Sequence, residues 1–546
     1  MVSVLTPDTR FAQIQSQYKE NLQHALAAHR AGEDARELVR QLTETTDNLV
    51  LLTLKAFMKE ILGQGDLPAH ILLLAQGGYG RRELHPKSDI DLIFLYQNTL
   101  SAPEQELVKA LFRTLFDFGF QVGHCCRSFK EALETATKDD QSRTAMSESR
   151  FLAGDYRLFE RFKLDFWKTV SKNKKEYIRR KIEERQERNA RHGTTINISE
   201  PHIKESPGGL RDYHFGLWLG SLVQGQTLNL LHLCYHHFIT DAMMKKVQDA
   251  LSFLWRLRND LHFTTGKEQD VLLLTLQNEL SQRLGYQDQR GRLSEEQMMR
   301  DYYKHALSLL EFADHMQQKC TPQPVWDYLR FKHKKALPGG FALFDRKIHT
   351  PPDLNFFEHH PPRLVQIFLH AAQYNAPLSD EALTAIRDNL HLADQAFLHH
   401  KETADLLRAF FALPGKIEPA LQAMRKTGLL ECLFPEWKDI ANLVRYDLIH
   451  RFTVDEHSFL CLYHLDNLAT DTVSHAKERE QIWRQIQKKD VLRLAILFHD
   501  IGKGRNGDHS ILGARLIETI AQRLRYEESD INQMVFLVLN HLLMSH

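Results

Sequence analysis

Residues 71 to 96 read ILLLAQGGYGRRELHPKSDIDLIFLY, and this stretch decides the fold. Two apolar runs of strand length, Ile71 to Ala75 and Ile90 to Tyr96, flank a connection broken by glycines and Pro86, which predicts two neighbouring β-strands. Asp89 and Asp91 stand two residues apart. In a strand both side chains leave one face while Ile90 and Leu92 enter the core. Two carboxylates crowded on one small face repel unless something cationic lies between them. They suit the oxygen preference of Mg²⁺ and can serve two metals about 3.5 to 4 Å apart. Gly77 and Gly78 end the first strand, where missing side chains allow a triphosphate to lie against backbone N–H groups. Arg81, Arg82 and Ser88 are near enough in sequence to contact phosphate, and the planar donor fork of Arg suits that task. A Gly pair alone reads as a tight turn. Joined to two alternating acids between two strand-length runs, it points to nucleotidyl or phosphoryl transfer, chemistry that needs metal and alignment more than covalent help.

Working outward, residues 8 to 64 carry apolar positions at three and four spacing and predict a helical preface that ends at the breaker GQGDLP. A helix over 102 to 118, a strand in FQVGHCCRSF and a helix in KEALETATKDD complete an α/β unit. From about 155 to 320 the pattern is helical, interrupted by HGTTINISEPHIKESPGGLRD (192 to 212), whose Pro and Gly content cannot continue a helix. In that loop Lys204, Arg211 and the Gly208–Gly209 turn either reach a triphosphate or protein substrate, or form a Gly cap and a surface salt bridge. Arg258 and His262, one helical turn apart, carry the same two readings. Prolines and a Pro-Gly-Gly step between Cys320 and Asn355 mark a connector, with a small β element at GGFALFDRKIH, and the remainder is helix-rich.

A second constellation lies in LRLAILFHDIGKGRNGDHS (492 to 510). His499 and Asp500 follow an apolar helical segment and precede a Gly-rich loop with Lys503. Adjacent His and Asp cannot share one helix face, but at a helix end both can turn onto a metal. His457, in TVDEHSF, begins another helix, His541, in LNHLLMS, lies on a third, and His509 joins them or contacts phosphate. Such a set around one or two divalent ions would activate water for phosphodiester cleavage.

Bulk properties exclude several classes. At 546 residues the chain needs more than one core. Lys+Arg and Asp+Glu both total 70, so net charge offers no general attraction to nucleic acid or to an anionic membrane. The six cysteines show no CxxC pair, which fits reduced thiols. No run approaches the roughly 20 apolar residues that span a bilayer, and the N-terminus lacks a signal-like apolar stretch, so a cytoplasmic protein is expected.

GGYGRRELHPKSDIDL resembles the signature of the nucleotidyltransferase superfamily that includes DNA polymerase beta, and its wording is similar to that of the bacterial PII uridylyltransferase/uridylyl-removing family. VGHCCRS (122 to 128), ESRFLAGD (148 to 155), EPHIKESPGGLRDYH (200 to 214), RNDLHFTTGKEQD (258 to 270) and MRDYYKHA (299 to 306) extend the resemblance over nearly the whole chain. LFHDIGKG resembles the HD phosphohydrolase superfamily. The resemblance implies an α+β fold: a helical segment over 1–65, a polymerase-beta-like nucleotidyltransferase domain over 66–155, an associated helical domain over 156–320, a connector and helical region over 321–440, and an all-α HD domain over 441–546. It implies transfer of UMP from UTP to a tyrosine of a PII signalling protein with Mg²⁺ at Asp89 and Asp91, and Glu148 as the third acid. It further implies hydrolysis of that UMP at a divalent site, Mn²⁺ or Mg²⁺, held by His457, His499, Asp500, His509 and His541, with Lys503 assisting. Family members carry a last HD-domain Asp ligand and two glutamine-binding ACT modules beyond these residues, so either the sequence is a truncated product or fragment, or impaired hydrolysis and absent glutamine control are expected. Two other readings are an HD phosphohydrolase on a free nucleotide with a nucleotide-sensing first domain, and a non-catalytic module that sequesters PII. Nucleotide release without a protein acceptor separates the first from the leading reading, and the clustered, repelling acids argue against the second.

Overall fold

The structure is a computed structural model and describes residues 7–289, 293–321, 334–444, 452–468, 476–505 and 507–543. Its contacts divide the chain into two compact units, Met1–Pro322 and Gln323–His546. The connector expected between Cys320 and Asn355 lies partly outside the described residues.

The first unit opens with two helices, Pro7–Arg30 and Ala35–Phe57, that pack on each other. The sequence predicted one unbroken helical preface, and the structure interrupts it. Gly32 takes a left-handed φ of 83°, and the Asp34 side chain caps the second helix by accepting from the Arg36 backbone N–H at 2.9 Å. Helical spacing continues on both sides of the break, so periodicity alone reads through it.

A four-stranded sheet follows, with strands β1 (Ile71–Gln76), β2 (Ile90–Tyr96), β3 (Val122–Ser128) and β4 (Arg150–Gly154) in the order β3-β2-β1-β4. β1 is antiparallel to β2 and β4, and β2 is parallel to β3. Every residue of β1 is buried, as expected of a central strand covered on both faces. The helix Ala102–Asp117 starts at a Ser101–Glu104 capping box and packs Leu107, Leu111 and Leu115 with Phe94 of β2 in one core. Two local expectations are corrected. Gly77 and Gly78 do not extend β1; they open a single helical turn, Gly77–Gly80. Asp89 immediately precedes β2 and only Asp91 lies in it, so Asp89 is exposed and Asp91 half-buried.

The rest of this unit is helical, with Leu210–Gln224, Asp241–Thr265 and Ser294–Cys320 packed together. The interruption at 193–209 is a fixed loop. Asp212, with no exposed surface, accepts from the Gly208 N–H at 2.8 Å and from Arg185 Nε at 3.0 Å, and also binds Arg188.

In the second unit a small antiparallel hairpin, Ala342–Phe344 with Lys347–His349, appears where GGFALFDRKIH predicted it. A two-residue strand, Lys335–Ala336, pairs antiparallel with Ala342–Phe344 to make a three-stranded sheet, and the other described elements are helices around a core that includes Phe434, Trp437, Phe459 and Phe498. Arg493 is fully buried there, bonded to Asp466 and to the carbonyls of Phe411, Leu413 and Gly415.

Candidate functional site

A cavity of about 650 Å³ opens in the first unit, and Gly77, Gly78, Arg81, Ser88, Asp89, Asp91, Glu148, Lys204 and Arg211 all line it. Strand pairing explains why Asp91 sits where it does. The antiparallel register places it opposite Gln76, next to Gly77, and the parallel register places it opposite Gly123. A Cβ on Gly77 would come within 2.7 Å of Asp91 Oδ2, and one on Gly123 within 2.1 Å of Oδ1. The carboxylate thus occupies a slot between two glycines. Gly77 is also held at a φ of 55°, a conformation that favours glycine. Burial, and after it the negative charge of Asp89, push Asp91 up to about 6, although Arg81 and Lys204 pull the other way. A carboxylate held beside a second one in a cavity forms a donor set that a divalent cation would relieve, so these residues fit an oxygen-ligated metal.

Arg81 is enclosed in ion pairs, 2.7 Å from Glu83 and 2.7 Å from Glu148. Glu148 is neither exposed nor at a helix start. It caps the C-terminus of the helix Asp140–Ser147, is buried, and accepts from Trp218 Nε1 as well as Arg81. One of its oxygens is therefore already engaged. Glu83 also binds His214 at 2.9 Å. The Arg81 charge overrides burial and holds Glu83 at about 2, while burial pushes His214 down to about 4, so neutral His214 contributes a hydrogen bond and Arg81 the charge. Ser88 Oγ accepts from the His85 N–H at 3.3 Å. Lys204 and Arg211 are paired more loosely, at 3.4 Å to Glu268 and 3.2 Å to Glu205. Arg258 is committed to Asp270 through two bonds of 2.7 and 3.1 Å, and His262 joins the same carboxylate at 3.0 Å. Arg82 does not reach this cavity and lines another. Gly123 and Trp218 escaped sequence reasoning; a glycine beside a buried acid shows itself only once β3 is registered against β2.

A second cluster forms in the unit Gln323–His546. His457 and Cys461 lie one turn apart on the helix Val454–Asn467. His499 ends the helix Lys489–Phe498, and Asp500 begins the tight turn after it. His509 opens the helix His509–Arg523, and His541 lies two residues beyond the helix Glu528–Leu539 rather than on it. The ligand atoms of His457, Cys461 and His499 lie within 4.8 Å of one another, as do those of Asp500, His509 and His541. The His499 and His457 rings are 5.2 Å apart, and so are those of His499 and His541. His499 and His541 each turn Nδ1 to a backbone carbonyl, of Ile496 at 2.7 Å and Val538 at 2.8 Å, which leaves Nε2 with its lone pair. Asp500 Oδ1, His509 Nε2 and His541 Nε2 are buried with no hydrogen-bond partner. His541 Nε2 stands 3.5 Å from Asp500 Oδ1, and three such buried groups with no closer hydrogen bond converging on one place fit a bound cation. Lys503 Nζ lies 2.9 Å from Asp500 Oδ2. Burial alone would raise Asp500, but His499, His541 and Lys503 hold it well below the usual carboxylate range. Cys461 was missed, although its spacing of four from His457 on one helix was a readable signal.

Fold and clusters together define a class: a glycine-slotted carboxylate on a mixed sheet with a second acid beside it, and farther along the chain a helical region with a His/Asp cluster. Family models place the chain more narrowly. Residues 176–316 match GlnD PII-uridylyltransferase, 342–432 match the third domain of uridylyltransferase GlnD, and 454–546 match the HD domain. The chain therefore carries uridylyltransferase-family regions and an HD domain on one polypeptide, and an HD domain implies divalent metal. It is 31% identical over 528 residues to a bifunctional uridylyltransferase/uridylyl-removing enzyme of Cereibacter sphaeroides, covering 94% of this chain and 56% of that protein. Proteins of the same name match from Vibrio atlanticus, 34% identical over 89% of this chain and 55% of the relative, and from Ruegeria pomeroyi, 31% over 96% and 59%. The chain thus spans little more than half the length of these curated relatives. Among the described residues no helix is long and apolar enough to cross a membrane.

Proposed function

We propose that the first unit transfers UMP from UTP to a tyrosine hydroxyl of a PII-type signalling protein, releasing pyrophosphate, and that the HD unit hydrolyses the uridylyl-tyrosine bond. The observation that carries this reading is the slot between Gly77 and Gly123, which holds the Asp91 carboxylate beside Asp89 in a cavity large enough for a nucleotide. Mg²⁺ held by Asp89 and Asp91 would supply neutralisation of the phosphates and alignment of attacking and leaving oxygens. Lys204 and Arg211, loosely paired, are free to exchange their carboxylates for phosphate oxygens, and Ser88 adds a hydroxyl at the same rim. The open backbone at Gly77 and Gly78 keeps side chains out of the way. Glu148 acts as a positioning residue, fixing Arg81 and Trp218 at the cavity wall, rather than as a third metal ligand. In the HD unit His457, His499, Asp500, His509 and His541 are the proposed holders of Mn²⁺ or Mg²⁺, with Cys461 added to the set, and Lys503 keeps the Asp500 carboxylate charged and oriented.

The test is incubation with α-labelled UTP, Mg²⁺ and a PII protein. Label should appear on the acceptor and be absent when its target tyrosine is replaced by phenylalanine. Release of labelled nucleotide without any acceptor, and no label on PII, would instead favour a phosphohydrolase acting on free nucleotide.

A further inference from the structure

The segment that brings Ser88 and Asp89 to the carboxylate cavity is a short turn, in which the Ser88 N–H donates to the His85 carbonyl at 3.1 Å and the His85 N–H to Ser88 Oγ at 3.3 Å. Asp89 lies just before β2 and outside the pairing registers that fix Asp91. Two tethers instead tie the turn to the helix Asp241–Thr265. His85 Nδ1 and Asn259 Oδ1 stand 2.7 Å apart, and the Lys87 backbone N–H donates to His262 Nδ1 at 3.3 Å. Asn259 and His262 are both fully buried.

The other side of the His262 ring leads to the opposite wall of the cavity. His262 Nε2 lies 3.0 Å from Asp270 Oδ1, and Arg258 binds both oxygens of the same carboxylate. Burial alone would raise Asp270, but the hydrogen bond from His262 and the charge of Arg258 hold it well below the usual carboxylate range, so it can only accept. His262 Nε2 must then carry the proton, which leaves the Nδ1 lone pair to the Lys87 N–H. Burial pushes His262 itself down although Asp270 pulls the other way, so the ring is neutral at neutral pH. The main chain around Asp270 meanwhile grips the loop that bears Lys204. The Ile203 N–H donates to the Asp270 carbonyl at 2.7 Å, the Leu272 N–H donates to the Pro201 carbonyl at 2.9 Å, and His202 bridges Val271. One His–Asp pair thus spans from the turn of Asp89 to the loop of Lys204, and both of those residues line the cavity.

We propose that His262, braced by Asp270, is a positioning residue: through the Lys87 N–H it holds the turn of residues 85–89 where Asp89 can share a divalent cation with Asp91, in fixed relation to the Lys204 loop. His262 does not line the cavity, so it acts through the backbone it holds. The inference rests on the reading of Asp89 and Asp91 as metal holders, and not on which nucleotide or acceptor the site takes.

The probe is Mn²⁺, its binding followed by electron spin resonance in the full chain carrying His499→Ala/Asp500→Asn, which takes the second unit's cluster out of the count. Binding lost on adding Asp89→Asn/Asp91→Asn is that of the first site. Two variants divide the functions of the ring. His262→Asn puts a carbonyl oxygen where Nδ1 stood and gives up the bond to Asp270; His262→Gln puts an amide N–H where Nε2 stood and gives up the acceptor for Lys87. His262→Gln should weaken Mn²⁺ roughly tenfold to a hundredfold, the range for groups that orient a ligand without touching the metal, whereas His262→Asn should stay within about threefold of its parent. A histidine that only stabilises the fold gives no such order. Equal effects of the two variants, or weaker binding by His262→Asn, would overturn the proposal. Hydrogen exchange of the unaltered chain tests it without any variant: the Lys87 amide should be protected and Mg²⁺ should protect it further, and exchange at the rate of an open chain would also overturn it. The expected Mn²⁺ order in a chain that puts no UMP on PII would support the brace and count against the proposed transfer, while absence of Mn²⁺ from Asp89 and Asp91 would overturn both.

Discussion

At the scale of single residues, the account rests on space withheld rather than contacts added. Gly123→Ala would put a methyl group where Asp91 Oδ1 now lies, and the carboxylate must move. Displacements of about 1 Å at a reacting centre cost roughly a hundredfold in rate. We therefore expect Gly123→Ala to reduce UMP transfer by about that factor with an unchanged circular dichroism spectrum; a rate within a few-fold of the original would show that Asp91 does not need its slot. The buried Glu83–His214 pair predicts a pH dependence. Both groups have folded pKa values below their unfolded ones, about 2 for Glu83 and about 4 for His214. The unfolded chain therefore binds the His proton from about pH 6.5 and the Glu proton from about 4.5, before the fold can. Stability is complete above about 6.5, declines as pH falls toward 4 through His214, and declines further below 4.5 through Glu83. Urea midpoints of the first unit should fall between pH 7 and 4, and His214→Gln should make that decline shallower; an unaltered slope would remove His214 from the explanation.

At the scale of elements, the loop 193–209 is tied down along its length, by Gln277 at the Ser199 carbonyl, Tyr303 at the Ile198 carbonyl and the Ile203 N–H at the Asp270 carbonyl, and its end is anchored on one acid. Asp212 answers two arginines, Arg185 and Arg188, and the Gly208 N–H. Asp212→Ala leaves the buried Arg188 guanidinium without its carboxylate, while Arg185 keeps Asp314 at 2.8 Å and Gln317 at 3.0 Å, and breaking a buried ion pair typically costs about 3 to 5 kcal/mol. A corresponding drop in unfolding free energy should be measurable by urea titration, and a loss below about 1 kcal/mol would mean that water already reaches the arginines. The same elements show what a sequence makes legible. β1, β2, the interrupting loop and the hairpin at 342–349 announce themselves through apolar runs and through Pro and Gly, which are local signals. β4 does not: RFLAG is short and carries Arg150, and it becomes a strand only by pairing with β1 and binding Asp47. The break at 31–34 was hidden because helical spacing resumes immediately after it. Gly123, the burial of Glu148 and the redirection of Arg82 depend on registers and contacts between residues distant in sequence, which no window reports. The residues Asp89, Asp91, His499 and Asp500 were legible because their chemistry is dense in a short span.

At the scale of the whole molecule, each of two compact units carries one of the two candidate sites. The orphaned acceptors of Asp500, His509 and His541 predict that metal stabilises the second unit in particular, since a ligand bound only to the folded state raises its stability by mass action. Chelation followed by readdition of Mn²⁺ should lower and then restore the thermal midpoint of residues 323–546, and His499→Ala with Asp500→Asn should erase that response. A midpoint insensitive to metal would leave those three acceptors unexplained. The central claim, that Asp89 and Asp91 together perform transfer while the His/Asp cluster performs removal, is tested most directly by one paired assay on the Asp89→Asn/Asp91→Asn protein. Labelled UTP and PII measure transfer, and pre-uridylylated PII measures removal. The account predicts transfer reduced to background with metal-dependent removal at the level of the unaltered chain; transfer persisting in the double variant would contradict it.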